Sequence, residues 1–182
     1  MDSEFEKNNV FGLGQENTAY AQYFIGKSYL NPLTPAGVVP SFANVTFEPG
    51  CRNNWHIHHA SNGGGQILLC VAGSGWYQEW GKPAQSLKPG DVVVIPPEVK
   101  HWHGAKKDSW FSHIAVEVPG ENASNEWLEE VTDAQYDALG EKHRPPRAAT
   151  VFWTNVTAGS FICNIRHSET AGSKYPGSAS AA

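Results

Sequence analysis

Between residues 38 and 48 apolar and polar positions roughly alternate, and a period of two reads as a half-buried strand. Glu48-Pro49-Gly50 closes it with a turn. The same plan repeats along the chain. Residues 55–59 are followed by a glycine-rich loop at 62–65, and 66–72 by a turn at Gly73-Ser74-Gly75. Residues 76–80 lead to a turn at Lys88-Pro89-Gly90-Asp91 and then to 92–95. Pro96-Pro97 breaks that strand, 101–104 resumes it, and 110–118 forms another. Short strands at this spacing, each bounded by turn residues, predict an all-β sandwich or barrel over residues 37–120.

The flanks have a different character. Residues 1–36 are mixed and interrupted by Gly and Pro; they read as an N-terminal arm, with a short strand at 20–24 that can pack on a partner subunit. After Pro119-Gly120 the period changes. Trp127, Leu128, Val131, Tyr136 and Leu139 stand at helical spacing, Thr132 and Gln135 match a capping box, and Gly140 marks a stop. A helical segment over 121–143, as one broken helix or two short ones, is expected outside the barrel. Residues 144–182 form a tail of unknown role. A hairpin is expected over 150–165, and disorder in the low-complexity end.

Composition narrows the class. The 182 residues suit one domain. Charged residues make up 17% and the net charge is -5, which argues against a nucleic-acid partner. Cys51, Cys70 and Cys163 are odd in number and form no CxxC, so no disulfide framework is expected. The acidic start, MDSEFEKNN, lacks the pattern of a signal peptide, and no apolar run approaches the ~18 residues of a membrane span. A soluble cytoplasmic protein is the expectation.

Five of the eight histidines fall in two sets, His56/His58/His59 and His101/His103. Residues i and i+2 of a strand share a face, so His56 projects with His58 and His101 with His103, while Ile57 and Trp102 face the outer layer. Imidazole nitrogen is a good ligand for Zn, Mn, Fe, Ni and Cu ions. A lone histidine is more often a hydrogen-bonded core residue; two HxH pairs on predicted strands point to a metal.

These residues also carry a resemblance. Gly50, five residues, His56-Ile57-His58, a longer gap, Gln66, six residues and Gly73 resemble the first motif of the cupin superfamily. Gly90, five residues, Pro96-Pro97-Glu98, two residues and His101 resemble the second. Gln66 stands where the family has Glu, the gap is lengthened by residues 61–65, and Glu98 and Ala105 replace Gly and Asn. The resemblance implies a jelly-roll (double-stranded β-helix) barrel with His56, His58, Gln66 and His101 as ligands of one divalent ion: Mn, Zn, Fe or Ni. His59 is the rival ligand, although it faces the other side of a regular strand. The runs His101-Trp102-His103-Gly104-Ala105, His113–Glu117 and 127–136 are similar to small bacterial cupins that include manganese-dependent hydroxynitrile lyases. They also resemble cupin domains associated with carboxymuconolactone decarboxylase-like domains. The lyases carry the same glutamine ligand and the second histidine of HWH. A homodimer with exchanged or paired N-terminal strands is implied as well.

An all-neutral ligand set leaves a divalent ion near its full charge, which favours Lewis-acid chemistry on a carbonyl, enol or hydroxyl oxygen. His103 shares a face with His101, and His113 lies on the next predicted strand; either is a candidate general base or acid. Trp76, Trp110 and Phe111 are candidates to line a pocket or to pack. Glu117 shares the parity of His113 and belongs in the cavity or in a salt bridge at its mouth. Three functions compete. The first is a metal-dependent lyase or isomerase acting on a small oxygenated molecule, cyanohydrin cleavage being its most concrete form. The second is a quercetinase-type dioxygenase, and the third a non-catalytic binding cupin.

Overall fold

Leu68, Cys70 and Ala72 are buried while Ile67, Leu69 and Val71 between them are only partly covered. That alternation makes one face of a strand the core and the other an outer surface. The computed structural model that shows it describes residues 3–141. The expectations for the tail, and Cys163, lie outside the described residues.

In chain order the strands are β1 (Gln15–Glu16), β2 (Phe24–Ile25), β3 (Ser28–Pro32), β4 (Ser41–Phe47) and β5 (Arg52–Asn53). Next come β6 (His56–His59), β7 (Asn62–Gly63), β8 (Gln66–Gly73), β9 (Gly75–Glu79) and β10 (Gln85–Leu87). The last are β11 (Val92–Ile95), β12 (His101–Ala105), β13 (Phe111–Glu117), β14 (Gly120–Glu121) and β15 (Ser124–Trp127). Helix α1 (Ser3–Asn8) precedes them and α2 (Asp133–Glu141) follows. One antiparallel sheet runs β1-β3-β4-β13-β8-β11. The other runs β10-β9-β12-β5-β2, with β6 also on β12 and β15 on β6. This is the all-β barrel that the alternation predicts.

Between the sheets, Phe47, Leu68, Leu87, Ile95 and Phe111 are essentially inaccessible. Each such side chain contributes about 1.5–3 kcal/mol by leaving water. A second cluster of Trp55, Trp76, Trp102, Val131 and Tyr136 lies on the other face of the β12 sheet. Trp102 is therefore outward of His101 and His103, as strand parity requires. Arg52 ties this layer down. Its Nε and one Nη donate to the Val131 carbonyl at 3.0 and 2.9 Å, and its guanidinium lies 4.5 Å from the Tyr136 ring centre.

The segment over 121–143 differs from the helical expectation. Residues Ser124–Trp127 pair with His56–His59 as a strand, and the α-helix occupies only Asp133–Glu141. The edge of β6 needs hydrogen-bond partners, and Trp127 there stacks on Tyr23 with ring centres 4.6 Å apart. Both interactions outweigh a helical pattern of only a few apolar residues. The capping box is present: Thr132 N donates to Gln135 Oε1 at 3.0 Å and Gln135 N to Thr132 Oγ1 at 3.2 Å.

The arm is built into the chain's own sheets. β1 and β3 extend the first, β2 pairs with β5 of the second, and residues Ala21–Tyr23 form a 3-10 turn inside the stretch expected as a strand. The lengthened gap before Gln66 is a two-stranded ribbon, β7 on β14. Gly63, Gly64 and Gly65 all take positive φ there, a run open only to glycine. Cys51 and Cys70 are free and buried, and burial pushes both thiols up to about 12, so neither is a ready nucleophile. Among the described residues no helix is long and apolar enough to cross a membrane.

Candidate metal centre

β6 and β12 bring the two HxH pairs together. His56 lies opposite His101 in register, and their ring centres are 4.1 Å apart. The His58 ring is 5.2 Å from His56 and 5.5 Å from His101. All four histidines of the pairs are buried, with exposures of 5% or less. Ligand atoms of His56, His101 and His103 fall within 4.8 Å of one another, so the tightest trio includes His103. His58 and Gln66 line the same cavity, which has a volume of about 290 Å³.

Hydrogen bonding decides which ring nitrogens are available. His56 Nδ1 donates to the Asn54 carbonyl at 2.9 Å, and His101 Nδ1 to the Val99 carbonyl at 2.8 Å. A carbonyl only accepts, so in each neutral ring the proton sits on Nδ1 and Nε2 is bare. His101 Nε2, His58 Nε2 and Gln66 Oε1 are buried with no hydrogen-bond partner among the described residues, while His58 Nδ1 lies 3.3 Å from Glu117 Oε2 in an ion-pair contact. Such orphans cost about 1–3 kcal/mol each unless something satisfies them. Bare imidazole nitrogens, an amide oxygen and Nδ1–H groups anchored on carbonyls are the donor set and outer support a divalent ion takes. The residues present therefore fit a metal ion.

Burial pushes His101 down to about 4 and His113 to about 3, and it holds His56 and His103 well below the usual imidazole value. These four rings are thus neutral at pH 7. The charge lining the cavity comes from Glu117, the one Asp, Glu, Lys or Arg among its described walls. Burial pushes that carboxyl up, but contacts with His58 and Gln66 outweigh it and leave it below the ordinary carboxylate range.

His103 and His113 form a pair deeper in the barrel. His113 Nε2 is 3.1 Å from His103 Nδ1. Asn53 Oδ1 accepts from the His103 backbone N–H at 2.9 Å, so its Nδ2 faces the His103 ring, 3.1 Å from Nε2. An amide nitrogen only donates. The assignment that serves every partner places the His103 proton on Nδ1, toward His113, and leaves Nε2 as an acceptor. Phe47 closes this pocket from below, with its ring 5.8 Å from His103 and 5.5 Å from His113.

Other expected residues go elsewhere. His59 faces away from the cage and bonds Glu98 at 2.7 Å and Glu126 at 2.8 Å. Trp76 packs in the outer cluster, Phe111 in the core and Trp110 against Phe5. The aromatic walls of the cavity are instead Tyr20, Phe24, Phe42 and Trp127. Asn53 was not foreseen, and no pattern in the Arg52-Asn53-Asn54 run marks it.

Comparison with known proteins places the fold. A cupin domain model matches residues 43–116. An (R)-mandelonitrile lyase of Granulicella tundricola is 40% identical over 118 residues, which span 64% of this chain and 87% of that protein. A cupin-like protein of Thermotoga maritima has a crystal structure that is 38% identical, with a TM-score of 0.62, covering 72% of this chain and 96% of that one. A cupin 2 conserved barrel domain protein of Rhodopseudomonas palustris shares the fold at 16% identity, with a TM-score of 0.50, covering 70% and 82% of the two chains. The chain belongs to the cupin family.

Proposed function

We propose that this protein is a metal-dependent lyase that cleaves a small cyanohydrin into an aldehyde and hydrogen cyanide. The observation that carries the reading is the set of unpartnered buried donors on His58, Gln66 and His101, beside a neutral His103–His113 pair. The relative named as an (R)-mandelonitrile lyase supports the same chemistry. His56, His58, Gln66 and His101 would hold the ion, and manganese, zinc, iron and nickel all suit them. When bound, a divalent ion supplies Lewis acidity and makes a neighbouring hydroxyl easier to deprotonate.

The protein's own groups do the rest. His103 Nε2 accepts the substrate hydroxyl proton when the substrate hydroxyl replaces Asn53 Nδ2 as its partner, and burial keeps that ring neutral at pH 7. His113 holds the ring in place at Nδ1, and Asn53 Oδ1 holds the His103 backbone N–H. As the carbon–oxygen double bond forms, the carbon–cyanide bond breaks, and cyanide leaves with the proton that His103 returns. The cavity, about 290 Å³ in volume, sits at the small end of ligand sites, and its aromatic walls suit an aryl or short alkyl group.

The test is elemental analysis of protein purified without added metal, together with benzaldehyde release from racemic mandelonitrile. One equivalent of metal is expected, lost in a His56→Ala/His101→Ala double variant. His103→Ala should keep the metal and lose about 10²–10⁴-fold in kcat. Bound metal with no aldehyde release would refute the lyase reading, and oxygen uptake with a phenolic or diketone substrate would favour a dioxygenase.

A further inference from the structure

The metal reading leaves Glu117 without a task, although it is the charged side chain of the cavity. It lies directly opposite Gln66 in the β13–β8 register. Gln66 Nε2 donates to Glu117 Oε1 at 3.2 Å, and Glu117 Oε2 is 3.3 Å from His58 Nδ1. One carboxylate therefore faces two of the four candidate ligands.

The two remaining ligands have their own support. His56 and His101 each place Nδ1–H on a backbone carbonyl, which leaves Nε2 bare. His58 has no such carbonyl. A carboxylate at Nδ1 does the same work: it accepts only, so it favours the Nδ1–H tautomer and frees Nε2 for a cation. Gln66 presents a sharper choice. Its amide can offer a cation either its oxygen or its NH₂, and only the oxygen ligates. With the NH₂ on Glu117, Oε1 is turned the other way, buried and unpartnered.

We infer that Glu117 is a positioning residue that selects the ligating forms of both Gln66 and His58. This rests on the metal reading above. It also means that, relative to the family's glutamate, the negative charge is moved to the neighbouring strand of the same sheet rather than lost. Glu117→Gln retains the shape but must turn a donor toward either His58 Nδ1 or Gln66 Nε2, which disfavours one ligating form.

The test is equilibrium binding of Co²⁺ to metal-stripped protein, read by dialysis and by the visible spectrum of the bound ion. The variants are Glu117→Gln, the swap Gln66→Glu/Glu117→Gln, and His101→Ala as a ligand control. Glu117→Gln should weaken Co²⁺ binding by about 10–100-fold, with the thermal midpoint of the metal-free protein unchanged. The swap places a carboxylate ligand opposite an amide donor and should restore affinity and a four-ligand spectrum. Tight binding by wild type together with an unchanged affinity and spectrum in Glu117→Gln would overturn the role of Glu117 alone. Failure of wild type itself to bind Co²⁺ better than His101→Ala would overturn the metal reading and this inference with it.

Discussion

Acidifying the metal-free protein probes the site directly, because its imidazoles are built in as neutral groups. His56, His101, His103 and His113 all bind a proton less readily in the fold than at the ordinary value of 6.5, and burial is the main cause in each. His101 falls to about 4 and His113 to about 3. Unfolded histidine takes up its proton near 6.5, so between that value and the folded ones the unfolded state binds more protons. Stability must then rise with pH in this window and fall as the pH drops from about 6.5. Each histidine kept neutral adds a slope of about 1.4 kcal/mol per pH unit, so His101 and His113 alone give about 3, with His56 and His103 adding in the same direction. At pH 5 the loss from these two reaches about 4 kcal/mol, a large part of the ~5–15 kcal/mol that holds a domain together. Urea unfolding of chelator-treated protein, followed by tryptophan fluorescence at half-unit steps from pH 6.5 to 5, measures the slope. His59 has the opposite sign: Glu126 and Glu98 raise its pKa, so its contribution is complete below 6.5 and is lost only at higher pH. It therefore leaves this window undisturbed. His113→Asn should reduce the slope by about one proton, or about 1.4 kcal/mol per unit. A wild-type slope below that of a single proton would refute the claim that burial keeps these rings neutral.

Four further outcomes follow from the fold. Arg52→Met should cost about 3 kcal/mol in urea unfolding, because it strips two charged donors from the buried Val131 carbonyl. Asp133→Asn should cost under about 1 kcal/mol, since that carboxylate is 87% exposed; the reverse ranking would refute the assignment. Leu68→Ala, at a site with no exposure between the sheets, should lose about 2–5 kcal/mol by the same assay. At Gly65, φ is +91° and an added Cβ would strike the Ile95 carbonyl oxygen, so Gly65→Ala should cost about 1–3 kcal/mol and displace Gln66. Weaker Co²⁺ binding by that variant checks the second effect.

Part of this site is local and was open to reading from the chain. Strand parity alone sends His56, His58, His101 and His103 one way and Ile57 and Trp102 the other, and the outer cluster holds Trp102 as that parity requires. The same parity runs through β13, where Phe111 and Ala115 belong to the core and Glu117 lines the cavity. Trp127 and Leu128 mislead because two or three apolar residues match a helix as well as a strand, and the choice is made by the unpaired edge of β6, which no window around residue 127 contains. Register is likewise non-local. Asn53 matters only because β5 and β12 are neighbours, so that an amide fifty residues away in sequence meets His103. Glu117 matters only because it falls opposite Gln66, fifty-one residues away. A shift of β13 by one residue would turn Glu117 out of the barrel and bring Val116 or Val118 in, leaving both the amide of Gln66 and the tautomer of His58 unselected. Parity within a strand thus says which side chains can reach the candidate metal centre, whereas pairing between strands says which of their atoms face it, and the proposed chemistry depends on the second.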